Sequence, residues 1–327
     1  MARPEIDWDD EYSAPKRRFL PTRGVARFGG YSLIVVAVLV VLYYLVGAAV
    51  MHSIDDDLNF QAVGEPEGGS HAVAVSAALI DREVNTHFWT ANDPFFYPSA
   101  LLDNTPNYQQ GIVYALSRFA IEMSDQIGRT RGSSEVDADL DKAAGLLKYP
   151  GNIWIFDLST SFLPTTASET QYRAAARALR AYNERLASGQ AIFERRADNL
   201  MATLDRIASD LGSASATIDQ HMAKPRPLLI DTKVDDIFYA VKGRLYGYTV
   251  LLRELGRDFN GVIKDKQIEG AWEQMMQSLN QAAILDPVIV MNGAPDGTYF
   301  PSHLAVQGFY LLRARTQLRE ITNILQK

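Results

Sequence analysis

Hydrophobic and polar positions divide the chain into three regimes. From Phe28 to Met51 no position carries a charge, FGGYSLIVVAVLVVLYYLVGAAVM, and no face of this run is polar. From about residue 70 onward the apolar positions recur at intervals of three and four, the period of helices that bury one face. Before residue 28, and again from 52 to 69, neither pattern holds. The predicted fold class is all-α: a single N-terminal transmembrane helix followed by a mostly helical periplasmic domain with one very long helix or helical hairpin. The expected organisation is a tail over 1–27, the transmembrane helix over 28–51, a tether over 52–69 and the helical domain over 70–327.

Within the domain the start and stop signals place each helix. Ser70 caps a helix from about His71 to Phe88, with Val75, Leu79 and Val84 inward. Thr105-Pro106 opens the next, which runs to about Ile127 along Ile112, Ala115, Phe119 and Met123. A short helix follows Val136 and ends near Tyr149-Pro150-Gly151. NIWIFDLSTSFLPTT reads as an ordered connector packed by Trp154, Phe156 and Phe162. The longest periodic stretch, coiled-coil-like over 168–222, starts where Ser168 and Gln171 have capping-box spacing. A straight helix of that length would measure roughly 80 Å. It therefore either projects as an arm or folds back at Ser188-Gly189, and both readings require a partner helix. Further helices are expected from Asp231 to Phe259, Gln267 to Ile284 and Ser302 to Leu325.

Two of these helices share a frame: Asp103, Gly111, Tyr114 and Glu122 recur 132 positions later as Asp235, Gly243, Tyr246 and Glu254. Tyr97-Pro98-Ser99 and Phe300-Pro301-Ser302 echo each other at a different offset. Duplication and chance both account for such short matches. Glycine inside a helix costs about 1 kcal/mol, so either origin implies close backbone contact at Gly111 and Gly243.

The apolar run would extend roughly 36 Å as a helix, against a hydrocarbon core about 30 Å thick. Lys16, Arg17, Arg18, Arg23 and Arg27 precede it with no acid among them after residue 15, whereas His52, Asp55, Asp56 and Asp57 follow it. The positive-inside rule places the N-terminus in the cytoplasm and the C-terminal part outside. Tyr31 suits the first interface, and Tyr43 and Tyr44 either face a partner or approach the headgroups. Val46-Gly47-Ala48 resembles a signal-peptide processing site, but the run exceeds the usual apolar core of such signals and nearly thirty residues precede it. An uncleaved anchor is the expectation, with the lipid bilayer as first partner.

The chain of 327 residues has a net charge of −7, and residues 1–27 hold six basic against five acidic residues. The acidic excess thus lies in the exported part, which argues against nucleic acid. No cysteine is present, which excludes disulfides and thiolate metal sites. No HExxH, P-loop, GxGxxG or GxSxG occurs, the five histidines are scattered, and no catalytic residue, metal or cofactor is predicted. MNGAPDGTY, with Asn292 and Asp296, lacks the oxygen spacing of a calcium loop. One polar–aromatic cluster remains: His87, Trp89, Asn92, Asp93, Phe95, Phe96 and Tyr97. It reads either as a groove for a glycan, a peptidoglycan strand or a partner peptide, or as aromatics plugging a bundle end while Asn92 and Asp93 cap a turn.

The stretches DREVNTHFWTANDPFFYPSALLDNTPNYQQGIVYALSRFAIEMSD and LLKYPGNIWIFD, followed by the long Ala/Arg helix, resemble a family of proteobacterial inner-membrane proteins designated DUF2333. The resemblance implies a Gram-negative envelope setting and transfers no catalytic residues. The functional expectation is a membrane-anchored scaffold or adaptor working with other membrane or periplasmic proteins or with further copies of itself. The alternative is a binding or hydrolytic module for cell-wall or lipid-derived ligands.

Overall fold

Helical periodicity and capping residues produce ten α-helices and no strand among the described residues, which in this computed structural model are 23–127, 136–156, 162–224, 231, 233–294 and 300–327. The tail with Lys16, Arg17 and Arg18 lies outside them, as do residues 225–230 and the Asp296 turn. The apolar run forms α1 (Arg23–Met51), long and apolar enough to cross a membrane. Arg23 and Arg27 lie on its first turns, with side chains outside the described set.

Next come α2 (His71–Asp81), α3 (Asn104–Glu122), α4 (Ala138–Leu147) and α5 (Ser168–Ala187). After them follow α6 (Ala197–Met222), α7 (Val234–Asp258), α8 (Asn260–Asp265), α9 (Glu269–Ala283) and α10 (His303–Leu325). Ser70 accepts a backbone N–H bond at the start of α2 as its position predicts, and Ser302, expected only as the approximate start of the last helix, caps α10 in the same way. Thr105 is not the cap of α3; Asp103 takes that place. Ser168 does not cap α5 either. Its hydroxyl donates to Pro150 O (2.7 Å) and accepts from Ile153 N (3.0 Å), tying the helix to the preceding connector.

The stretch 168–222 is neither one long helix nor a self-packed hairpin. The chain leaves helical geometry between Ala187 and Ala197, with Gly189 at φ +72°. Beyond the break the partners change: α5 packs on α2 and α4, whereas α6 packs chiefly on α10. The apolar period runs on because both segments bury one face, each against a different neighbour.

Those pairings reveal two units built alike. α2 lies on α5 as α6 lies on α10; α4 lies on α5 as α9 lies on α10; α3 lies on α4 as α7 lies on α9. α3 and α7 form the largest contact and join the units. They run parallel, since Asp103 meets Asp235 at one end and Gly111 meets Gly243 further along. The contact is reciprocal: a methyl at Gly111 would strike the carbonyl of Ala240, and one at Gly243 would strike the carbonyl of Tyr108. The residue echo at offset 132 is thus the contact line of the two units. Around it a single core closes, in which Tyr108, Tyr246, Tyr248 and Phe238 are fully buried.

Candidate functional site

The polar chemistry gathers where the chain passes from α1 into the helical body. Within residues 52–69, expected to be a tether, positions 55–60 are held against the helical body. Tyr108 donates from Oη to Asp55 O (2.7 Å), and Tyr246 donates to Asp57 O (2.9 Å). Arg253 donates to the carbonyls of Leu58 and Phe60, and Lys242 Nζ pairs with Asp56 at 2.8 Å. A segment with few hydrophobic positions is ordered here by side chains projecting from α3 and α7 into its backbone carbonyls.

Arg82 is the hub of this joint. Its guanidinium donates to Glu83 Oε1 (2.8 Å), to Tyr246 Oη (2.7 Å) and to Asp55 O (3.0 Å), and it pairs with the Asp55 carboxylate at 3.2 Å. The same group stacks over the rings of Phe60 (4.8 Å) and Tyr246 (5.0 Å), where a cation gains from the ring quadrupole. Burial opposes the charge on Arg82, but the charges of Glu83, Tyr246, Tyr108 and Asp55 outweigh it and push its pKa up. Burial likewise drives the Tyr108 and Tyr246 phenols above their usual range, so both remain neutral donors. Glu83 is fully buried. Its pairing with Arg82 is what makes that burial tolerable.

The predicted cluster splits across this joint. His87 lies at the edge of the joint, its ring nitrogens 3.7 Å from Asp55 and 3.6 Å from Glu83. Trp89 is buried and donates from Nε1 to Gly151 O (2.7 Å). Asn92 is buried and donates to Ile153 O (2.8 Å) and Glu169 Oε2 (2.7 Å). Asp93 accepts from the Ser99 hydroxyl; burial raises its pKa against the opposing effect of that bond. These polar groups are therefore committed to the protein and fix the shape of the loop.

Phe95, Phe96 and Tyr97 plug no bundle end. They are exposed, Phe95 at 83 %, and lie along the last turns of α1. Tyr44 Oη donates to Phe95 O (2.8 Å) and Tyr43 Oη to Phe96 O (3.1 Å). One turn on, Gly47 leaves space for the Pro98 ring, which a methyl there would strike. Higher still, His52 Nδ1 lies 3.1 Å from Thr105 Oγ1. Tyr31, near the other end of α1, is exposed.

Trp154 extends the aromatic surface, its ring 5.6 Å from Phe96 and 5.4 Å from Phe156. In the described parts of the connector, 152–156 and 162–166, Phe156 and Phe162 are not packed as expected but point outward, Phe162 at 92 % exposure.

One further feature had no sequence signal, and another follows from the echoed frame. Asp258, at the end of α7, accepts from Ser70 Oγ (2.7 Å), His71 N (3.0 Å) and Ala72 N (3.0 Å), capping α2 from a helix far away in sequence. Asp103, Asp235 and Asp236 meet because α3 and α7 start side by side. Burial, then repulsion from neighbouring acids, raises the pKa of Asp235 and Asp236.

A family model described as an uncharacterized protein conserved in bacteria, DUF2333, matches residues 33–226 and 230–327, so the chain belongs to that family. No curated protein and no solved structure matches it.

Proposed function

We propose that this family member is a bitopic protein of the bacterial inner membrane whose helical body acts in the periplasm as a rigid scaffold or adaptor within an envelope assembly. In this reading α1 is an uncleaved anchor, with the basic tail cytoplasmic. The observation that carries it is the joint: both α1 itself and residues 55–60 are bonded into the helical body. Cleavage near Gly47 would remove Tyr43 and Tyr44 and strip the Phe95–Pro98 loop of its support. A body fixed to its membrane helix presents its surfaces at a set height and direction, which suits assembly. The polar groups of the aromatic cluster are meanwhile engaged by the protein itself.

The second unit offers the surface for such assembly. Val306, Phe309 and Leu312 recur every three residues on the outer side of α10 and are exposed, with Phe300 just before the helix. Their partner in this reading is another envelope protein or a further copy of the chain. The test is purification of the full chain from native membranes in mild detergent, after crosslinking, with the mass of each species measured. The expected result is an intact N-terminus and a complex larger than one chain, which Phe309→Glu dissociates without unfolding the protein. Monomers only, with no co-purifying envelope protein, would overturn the scaffold reading.

A further inference from the structure

We infer that the loop around Phe95 and Phe96 is a membrane foot, immersed in the leaflet on the C-terminal side of α1, with Tyr43 and Tyr44 serving as its internal hydrogen-bond donors. The inference rests on α1 spanning a bilayer and is independent of the scaffold reading. Its occupant is the acyl region of the lipid, because the loop is continuous with a helix whose own composition demands that environment.

Depth comes first. An α-helix rises about 1.5 Å per residue, so a 30 Å core placed anywhere within Phe28–Met51 leaves Tyr43 roughly 7–12 Å below its C-terminal boundary. Phe95 and Phe96 are bonded at that level. That is about as deep as interfacial amphipathic segments bury their apolar faces, roughly 5–10 Å. From Phe95 to Thr105 the chain climbs alongside α1, passing Gly47 at Pro98 and reaching His52 at Thr105.

Chemistry agrees with depth. Irregular backbone survives in hydrocarbon only where its polar groups are satisfied by protein. Here the carbonyls of Phe95 and Phe96 take the two tyrosine hydroxyls, and Tyr97 N donates to Pro94 O (2.9 Å). Pro94 and Pro98 have no N–H to satisfy. The large outward side chains are Phe95, Phe96, the amphipathic Tyr97 and, above them, Leu101. Water would make this exposed aromatic surface costly, whereas lipid makes it favourable. The pair Tyr43-Tyr44, out of place in an aliphatic run, thereby acquires a role.

The chain has no cysteine, so one introduced cysteine carries one spin label. Labels placed by Phe95→Cys, Leu101→Cys, Val38→Cys and Glu273→Cys in the full chain, reconstituted in phosphatidylethanolamine/phosphatidylglycerol vesicles, report collisions with oxygen and with a water-soluble nickel chelate. All four positions are exposed, so the labels displace no core. Expected is an oxygen-favoured ratio at Phe95 that lies between the deeper value at Val38 and a shallower one at Leu101, with an aqueous value at Glu273. Phe95 matching Glu273 while Val38 reads as membrane would overturn the foot and leave the anchor standing. An aqueous Val38 would overturn both.

Discussion

The two helical units present the same tyrosine to different partners. In α3, Tyr114 faces α6, where Asp210 accepts from Arg118 Nε (3.0 Å) and from Tyr248 Oη (2.9 Å), and Arg244 stacks over the Tyr114 ring at 4.1 Å. In α7, the equivalent Tyr246 faces α2, where Arg82 stacks over its ring and the hydroxyl donates onward to Asp57 O. One site closes on itself inside the body. The other opens onto backbone carbonyls of the segment that leads from α1. At offset 132, Arg82 and Glu83 correspond to Ala214 and Ser215 in α6, so the charged clamp belongs to the first unit alone. The connector between the paired helices differs too. Residues 87–103 reach α1 with an aromatic loop, whereas the second unit crosses from Met222 to Val234 in fewer residues. A shared packing frame has been specialised on one side for attachment.

The largest effect should come from Arg82. Removing one member of a buried ion pair leaves the other uncompensated, at a cost of about 3–5 kcal/mol. Arg82→Ala is expected to lower the unfolding midpoint of the full chain in detergent severely and to open residues 55–60 to protease. Arg118→Ala removes one of several donors from Asp210, and losing one hydrogen-bond partner costs about 1–3 kcal/mol. Equal losses for the two variants would show that the two sites are not specialised differently.

Next in size is the contact line itself. Overpacking a closed interface costs about 1–3 kcal/mol, occasionally more. Gly243→Ala places its methyl on a backbone carbonyl, which cannot swing aside, so a loss at the upper end of that range is expected in denaturant titration. Gly145→Ala, in α4 with open space around it, should instead gain up to about 1 kcal/mol from helix propensity. A tolerated Gly243→Ala would break the claim that the units share a glycine seam.

These comparisons also mark what the amino-acid pattern could reveal. Helices were legible because each buries one face, and the Gly111/Gly243 frame was legible because helical glycine needs a reason. The break between Ala187 and Ala197 was not, since the apolar period continues while the partner changes from α2 and α4 to α10. Arg82-Glu83 reads in sequence like any solvated charge pair; only a chain crossing from 55 to 60 makes it a clamp. Phe95 and Phe96 carried the least information of all, because an aromatic pair looks alike whether it enters a core, a groove or a bilayer.

A smaller effect is expected where α3 and α7 begin. The raised carboxyl pKa of Asp235 means that its ionised form is less comfortable folded than unfolded. This penalty is present at neutral pH and disappears as pH falls through the raised folded pKa to below the unfolded value of about 3.9. Asp235→Asn should therefore raise the unfolding midpoint slightly at pH 7, with the gain shrinking to nothing near pH 3. A gain that grows on acidification would mean that Asp235 is stabilised as a carboxylate.

The smallest change separates attachment through the clamp from attachment through the loop. Tyr43→Phe with Tyr44→Phe keeps both rings and deletes the two hydroxyls that meet Phe96 O and Phe95 O. Side-chain hydrogen bonds within membranes contribute about 0.6 kcal/mol each on average, so a loss of roughly 1 kcal/mol for the pair is expected in lipid. The Arg82 clamp is untouched, and protease resistance at residues 55–60 should persist. What should move is the loop: a label at Phe95 would shift toward the aqueous reading, because two carbonyls left without donors must seek water. Tyr31→Phe, near the opposite end of α1, provides the matched control and should change neither quantity. Loss of protection at 55–60 in the double variant would mean that clamp and loop form a single cooperative unit rather than two independent attachments.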